Sequence, residues 1–568
     1  MFKKKLTIPV LNQAETAYKS MAPSERWLLY ILASILALTV FIMAMGIYYR
    51  FTVLVPESGG SITEGVVGAP RFINPVLAIS QTDKDMVELV YAGLMSMDED
   101  GNLIPELAES FTISEDATEY SFILRDGLTF HDGTPLTADD VIFTIEKAIQ
   151  PDIKSPERAN WEGVSIKQDG ELTITFSLNK PYSPFLQNTT LGILPEEHWS
   201  KLTADEFIFS SLNTAPIGSG PYSFVEATHN SSGIPSSISL TRFKDFVLGT
   251  PFIKHVTINF YANKDLQEQA LSNKSVSSIR ETTPNSMESL VKQGDHTIMT
   301  STLPRIFAVF FNQSHNEILE DKDVRKILRS VIDTEHLINT VLSGYATSID
   351  SPVLVPVSDT LNSGTLTASE ARALLEEDGW VADDSSGIYS RKGTRLSITL
   401  TTANSAELKE VANYVSAKWS NIGVDVKLEV FESGDIAQSV LRTRNYDALL
   451  FGEILGTNPD PYAFWHSSQR NDPGLNIANY ANPTVDKLLL KARKTVDNND
   501  RADLYKKLSA EIQADIPAVF LYAPHFIYIT NKNILGIKFP ESMEPHDRFA
   551  NIHKWHLNTN RTLKLFAN

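Results

Sequence analysis

His131 and Asp132 stand side by side in His131-Asp132-Gly133-Thr134-Pro135 and are the closest approach to an acid/base pair in this sequence. Adjacent residues on a Gly/Pro turn serve the turn, so the pair reads as structure rather than as proton-transfer machinery. His553 and His556 are the histidine pair of greatest interest among 12, but they lie three residues apart without a carboxylate partner, a weak start for a metal site. Gly218-Ser219-Gly220 opens like a dinucleotide loop, yet Ser223 occupies the place of the third glycine, so a turn is expected. G-x-S-x-G, H-E-x-x-H and G-x-x-x-x-G-K-[ST] do not occur. Cysteine is absent, which removes thiol nucleophiles, disulfides, thiolate metal ligands and an N-terminal Cys-linked lipid. The residue types point away from catalysis, metal or cofactor and toward binding.

The elements that would position a binding site are legible. Leu396, Ile398 and Leu400 alternate as on a strand, as do Val424, Val426, Leu428 and Val430. Between them Leu408, Val411, Val415, Trp419 and Ile422 share one helical face, and Gly423 ends the helix. Such a strand, helix, strand crossover implies parallel strand pairs and α/β layers. Leu172, Ile174, Phe176 and Leu178 alternate after Asp169-Gly170 and predict a hairpin with Val164 and Ile166. Thr137 is expected to accept a hydrogen bond as the N-cap of a helix whose stripe is Val141, Ile145 and Ala148, with Asp140 favouring the positive helix end. Asn482 with Pro483 predicts another helix start, and 230–237 reads as a surface loop. A chain of 568 residues with 42% hydrophobic content holds several cores. Its formal charge of -19 disfavours nucleic acid or an anionic membrane surface as partner and favours cationic ligands.

Residues 124–148, reading LRDGLTFHDGTPLTADDVIFTIEKA, carry more than architecture. This segment resembles the extracytoplasmic solute-binding proteins of family 5, the oligopeptide- and dipeptide-binding proteins of ABC importers. Further landmarks of that family follow in order: Ile73-Asn74-Pro75, Tyr91-Ala92-Gly93-Leu94, Pro105-Glu106-Leu107-Ala108-Glu109-Ser110, Gly218-Ser219-Gly220-Pro221-Tyr222, Asp323-Val324-Arg325, Asp460-Pro461 and Tyr480-Ala481-Asn482-Pro483. The resemblance runs from about Gly65 to about Trp555. It implies a two-lobed α/β fold of the periplasmic-binding-protein type (cluster C), with lobe I at 65–300, a subdomain inserted at about 91–214, lobe II at 301–530 and a return to lobe I at 531–568. Hinges are expected near 309–311 and near 522–528.

The same resemblance implies a cleft lined by Ser80, Gln81, Thr82, Phe310, Asn312, Glu453, Asn458, Asp460, Trp465 and Tyr480. Asn312, Asn458, Gln81 and Thr82 suit the backbone of a ligand, and Trp465 and Tyr480 its side chains. Two positions depart from the family pattern. Thr457 stands where peptide-binding members place an Asp for the ligand's ammonium group, and Thr402 where dipeptide-specific members place an Arg for its carboxylate. Glu453, from the same loop, is a candidate replacement for the missing acid, an alternative the sequence leaves open.

Residues 27–49 contain no charge and span about 34 Å as a helix, enough to cross a hydrocarbon core of roughly 30 Å. Lys3, Lys4, Lys5, Lys19 and Arg26 precede this run and only Arg50 closely follows it, which puts residues 1–26 in the cytoplasm and the large domain outside. Residues 50–64 read as a tether. Ala44-Met45-Gly46 resembles a cleavage site, so a removed signal peptide is the competing reading. The expected protein is thus a membrane-anchored receptor subunit of an ABC importer that binds peptides or peptide-like solutes and works with a permease and an ATPase. A membrane-tethered sensor and an α/β hydrolase are the alternatives.

Overall fold

The computed structural model describes residues 13, 17–280, 287, 294–354, 365–457 and 459–563. Two compact units emerge. One is built around the helix Pro23–Phe51, none of whose side chains is buried, and the strand Thr52–Glu57 that continues it. That strand pairs antiparallel with Asn558–Leu563, from Thr52 opposite Leu563 to Glu57 opposite Asn558. Residues 50–64, expected to be an unpatterned tether, are therefore corrected to the end of a helix and parts of two strands, since Ser61–Val67 already belongs to the other unit. The partner of the first strand lies some five hundred residues away, beyond the reach of a local reading of Val53, Leu54 and Val55.

The other unit, Gly59–Trp555, is organised by one long strand, Ala518–Asn531. Its first half pairs with Arg305–Phe311, which continues through Ala448–Ile454 and Ser397–Ala403 to Asp425–Phe431, giving the lobe II sheet. Its second half pairs with Ser278–Arg280 and His296–Thr302, and the lobe I sheet extends through Ser61–Val67 and His255–Tyr261 to the hairpin of Pro235–Arg242 with Tyr222–His229. The partner change near Tyr522–His525 falls within the expected crossing at 522–528. The other crossing lies at Leu303-Pro304, between two strands, and not at 309–311, which are buried inside a strand. Proline lacks the N–H a ladder requires, so the chain changes sheets where the ladder must break.

The crossover read from the sequence is present: Ser397–Ala403 and Asp425–Phe431 run parallel, joined by the helix Ala406–Asn421. Gly423 takes φ +86, and a Cβ there would meet the Tyr389 ring at 2.5 Å, so both the turn and the contact require glycine. Val164–Gly170 and Thr173–Leu178 form the expected hairpin in a four-stranded antiparallel sheet with Ala108–Ile113 and Glu119–Leu124. The surface loop is shorter than 230–237, because Pro235 already starts a strand. At the helix Ala138–Ile149 Thr137 is the N-cap of a capping box with Asp140. The Asp140 carboxylate accepts from the Thr137 N–H at 2.8 Å and from its hydroxyl at 3.2 Å. Asn482 caps Pro483–Lys494 as its sequence predicts, accepting from the Thr484 N–H at 2.8 Å.

Candidate functional site

The helix Gln81–Val90 carries the side chains of greatest interest, and its first turn is fixed from several directions. Ser80 Oγ accepts from the Asp83 N–H at 3.0 Å, and the Asp83 carboxylate accepts from the backbone N–H groups of Ser80, Arg71 and Phe72. Thr82 donates to the Val67 carbonyl at 3.3 Å, and Gln81 donates to Asp85 at 3.1 Å. Beneath the helix lies a buried charge network. Arg548, with no exposed side-chain surface, donates to Asp85 at 2.8 and 2.9 Å and to Glu64 at 2.6 and 3.1 Å, while Tyr528 donates to Glu64 at 2.8 Å. Arg280 lies 3.0 Å from Asp85. Burial alone would push the Asp85 carboxyl up, but Arg548 and Arg280 outweigh it and hold it below the ordinary carboxylate range. The network ties lobe I strands, this helix and the C-terminal turn Pro545–Phe549 into one support.

That support faces a cavity of about 350 Å³, near the low end of the roughly 300–1,000 Å³ typical of ligand pockets. Lys84, Glu88 and Tyr91 line it from the helix and its end, Glu106 from the segment after Leu103–Pro105, and His546 and Asp547 from the C-terminal turn. Gly456 and Thr457 close it from lobe II. Glu106 is buried, and its Oε2 accepts from the Gly93 N–H at 3.1 Å. Burial pushes its carboxyl up to about 8. Glu88 is pushed well above the usual range by burial and then by the Asp547, Glu106 and Asp85 carboxylates, with Arg548 opposing. At neutral pH the Glu106 carboxyl is therefore largely uncharged.

A raised folded-state value has a definite sign for stability. The unfolded chain ionises Glu106 near 4.5 and the folded chain near 8, so its contribution is full below about 4.5 and is lost as pH rises to about 8. Glu106→Gln keeps an acceptor for Gly93 without the charge. Its stability relative to the parent is expected to grow by about 4 kcal/mol between pH 5 and 8.5, as read by urea denaturation at each pH.

Of the residues expected at the cleft, Thr457 lines this cavity. Ser80, Gln81 and Thr82 instead build the helix that presents Lys84 and Glu88. Phe310 is in the lobe II core against Trp465, which itself packs on Tyr480 and Phe520. Tyr480 donates to Asp515 at 2.6 Å. Asn312 is buried and donates to the Arg444 carbonyl at 2.8 Å, and Thr402 is buried and donates to the Leu450 carbonyl at 3.0 Å. Asp460 holds the loop beside Thr457 through Arg493, at 2.5 and 2.8 Å, while Tyr505 donates to the Pro459 carbonyl at 2.7 Å. Glu453 is buried on the Trp465 side of the lobe II sheet, and neither of its carboxyl oxygens has a hydrogen-bond partner among the described residues. Burial pushes it well above the usual range, and the Trp465 indole only partly offsets this. Asn458 lies outside the described residues.

Glu88, Glu106, Lys84, His546 and Asp547 escaped the sequence reading. A usable signal existed for two of them: Glu88 directly precedes the apolar run Leu89-Val90-Tyr91, and Glu106 interrupts Ile104-Pro105 and Leu107-Ala108. Acids embedded in buried runs require an explanation.

His131 confirms its structural reading. Its Nδ1 accepts from the Gly218 N–H at 3.3 Å and its Nε2 faces the Gly220 carbonyl at 3.0 Å, which fixes the Nε2–H tautomer. The turn Gly218-Ser219-Gly220 thereby lies against Val90 and Tyr91, with the Gly220 N–H donating to the Val90 carbonyl at 2.8 Å. Burial lowers the His131 imidazole to about 4, which keeps it neutral for this role.

Comparison with known proteins gives the same picture. The oligopeptide-binding protein AppA of Bacillus subtilis is 28% identical over 88% of this chain and 92% of the relative. Its structure in complex with a nonapeptide superposes with a TM-score of 0.65, at 26% identity, covering 89% of this chain and 100% of that one. The ABC transporter substrate-binding protein CtaP of Listeria monocytogenes superposes with a TM-score of 0.74 at 27% identity, covering 88% and 100%. NikZ of Campylobacter jejuni, in complex with Ni(L-His), superposes with a TM-score of 0.67 at 25% identity, covering 87% and 99%. These relatives are binding proteins and not enzymes, and the folds they share are two-lobed. The model of the bacterial extracellular solute-binding proteins, family 5, Middle, matches residues 102–475, about two thirds of the chain, and the protein belongs to that family.

Proposed function

We propose that this protein is the membrane-tethered receptor of an ABC importer, taking a peptide or peptide-like solute between its lobes and handing it to a permease driven by an ATPase. The observation that carries this reading is the cavity wall itself, drawn from lobe I at Glu88 and Tyr91 and from lobe II at Gly456 and Thr457. A solute that fills such a gap contacts both lobes at once and favours the closed arrangement by its differential affinity for it. A volume of about 350 Å³ suits a short solute of a few residues. The helix Pro23–Phe51 spans about 43 Å with every side chain unburied, which supports a membrane-crossing segment, and the basic residues ahead of it support a binding unit outside the cell. Anchoring keeps receptor and transporter at high effective concentration without a further contact.

Gentle purification from membranes followed by mass spectrometry tests both halves of the proposal. The expected result is an intact N-terminal helix and a co-purified short peptide. A sugar, a metal chelate or no solute would overturn the peptide assignment, and a mature chain starting near Ile47 would overturn the anchor.

A further inference from the structure

The strand Asn558–Leu563 closes on the point where the helix Pro23–Phe51 passes into the strand Thr52–Glu57. Thr52 is buried there between exposed Phe51 and Val53, and its N–H and hydroxyl both donate to the Tyr48 carbonyl, the hydroxyl at 2.6 Å. Arg561 stands opposite Leu54 in the register but reaches back to the helix. Its Nη1 donates to the Thr52 hydroxyl at 3.2 Å, and its guanidinium lies 4.2 Å from the centre of the Tyr49 ring, which meets Tyr48 edge-on at 5.7 Å. Neither Arg561 nor Arg50, the residue after Tyr49, has a carboxylate partner among the described residues. The acid of this strand pair, Glu57, lies at the far end of the register, opposite Asn558. At the other end of the helix Arg26 lies 5.2 Å from the centre of the Tyr18 ring, and the Tyr18 hydroxyl bonds that of Tyr30. Arg26 and Arg50 thus stand about 36 Å apart along the helix, each beside aromatic rings, with no charge between them.

We propose that the strand Asn558–Leu563 is a second contact with the membrane, in which Arg561, seated on Tyr49 and Thr52, joins Arg50 in binding the phosphates of outer phospholipid headgroups. The inference rests on the reading of Pro23–Phe51 as a membrane span and adds a segment from the opposite end of the sequence to the same interface. The helix sets the level. With its uncharged run in the hydrocarbon, Tyr48, Tyr49 and Arg50 fall among the headgroups, where amphipathic rings and cations are favoured. Strand pairing carries Arg561 to that level. A guanidinium has five N–H donors in a planar fork, and among the described residues the Thr52 hydroxyl engages one of them, which leaves a face that matches a phosphate. Phe51, Val53 and Leu54 are exposed beside it, and a two-stranded ribbon is marginal in water by itself. A lipid surface covers these apolar side chains while it pairs the two guanidinium groups.

The test uses the full-length protein, which has no cysteine to remove, in vesicles of phosphatidylcholine and phosphatidylglycerol, with a single spin label at Val40→Cys, Asn558→Cys or Thr562→Cys. Collisions of the label with oxygen and with a water-soluble nickel chelate report its depth, and phosphorus relaxation of the lipids reports its distance from the headgroups. The expected result is a label at Val40 closed to the chelate and one at Asn558 open to it. The label at Thr562, about 13 Å along the strand from Asn558, is expected to be at least about threefold less accessible than the label at Asn558 and to relax the headgroup phosphorus at least about threefold more. Arg561→Gln, with its melting temperature as the folding check, is expected to bring position 562 to the accessibility of position 558. Equal accessibility of the two positions without that substitution, with Val40 still closed, overturns the headgroup contact and leaves the membrane span standing. Access of the chelate to Val40 overturns both. Protection at position 562 that comes with label-to-label coupling and no phosphorus relaxation assigns the strand to a second copy of the chain and overturns the lipid assignment, and protection undiminished in Arg561→Gln overturns the role of the guanidinium.

Discussion

Arg548→Met is expected to destabilise the binding unit by about 3–5 kcal/mol. The guanidinium has no exposed surface and answers two buried carboxylates, Glu64 and Asp85, from four contacts at 2.6–3.1 Å. Met fills much of the same volume, so the loss reports unpaired charge rather than a void. The carboxyl groups left behind must take up protons, and the variant is expected to recover part of its stability as pH falls toward 5. Urea denaturation of both proteins at pH 7.5 and pH 5 measures this. A loss under about 1 kcal/mol at pH 7.5 would mean that the network contributes no more than a surface ion pair.

Gly218→Ala is expected to cost at least about 3 kcal/mol through a different mechanism. A Cβ at Gly218 would stand 2.1 Å from the Val90 carbonyl oxygen and 2.9 Å from its carbon, backbone atoms that cannot swing aside. Relief requires lifting the turn away from the end of the helix Gln81–Val90, which breaks the Gly220 to Val90 hydrogen bond and both His131 contacts. Because Tyr91 and Pro221 line the cavity, solute binding is expected to weaken along with the fall in melting temperature. Gly127→Ala is the control, since at that positive-φ glycine a Cβ meets nothing within 4 Å and only the smaller conformational cost applies.

These two residues also show where sequence reasoning reaches and where it stops. The crossover from Ser397 to Phe431 was readable because its strand alternation, helical stripe and terminating glycine are all local, and local signals agree with the final packing. The turn at Gly218 was readable as a turn, but the reason for its glycines, the backbone of Val90, lies well over a hundred residues earlier. Arg548 gives no local hint at all, since its partners Glu64 and Asp85 come from the opposite end of the chain. The cavity suffers from the same separation. Its acids arrive from residues 88, 106, 157, 544 and 547, and long-range closure brings these segments together. Residues placed at the cleft by family likeness, among them Ser80, Gln81, Asn312 and Asp460, sit in neighbouring segments and hold the scaffold through hydrogen bonds that no spacing rule reveals. Thr457 lines the cavity, and the loop just after it is held by Arg493 on Asp460 and by Tyr505 on the Pro459 carbonyl.

The absence of cysteine makes the central claim directly measurable. Phe209, at the end of the helix Ala204–Phe209, and Val381, on the strand Val381–Ala382, are 80% and 67% exposed, so a Phe209→Cys/Val381→Cys pair accepts spin labels without disturbing a core. Electron–electron resonance on the full-length protein then reports the distance between the lobes. The account predicts a broad distribution without solute that shortens and narrows when free-amine tripeptides bind. A distribution unchanged by a peptide that calorimetry shows to be bound would contradict closure of two lobes around the solute.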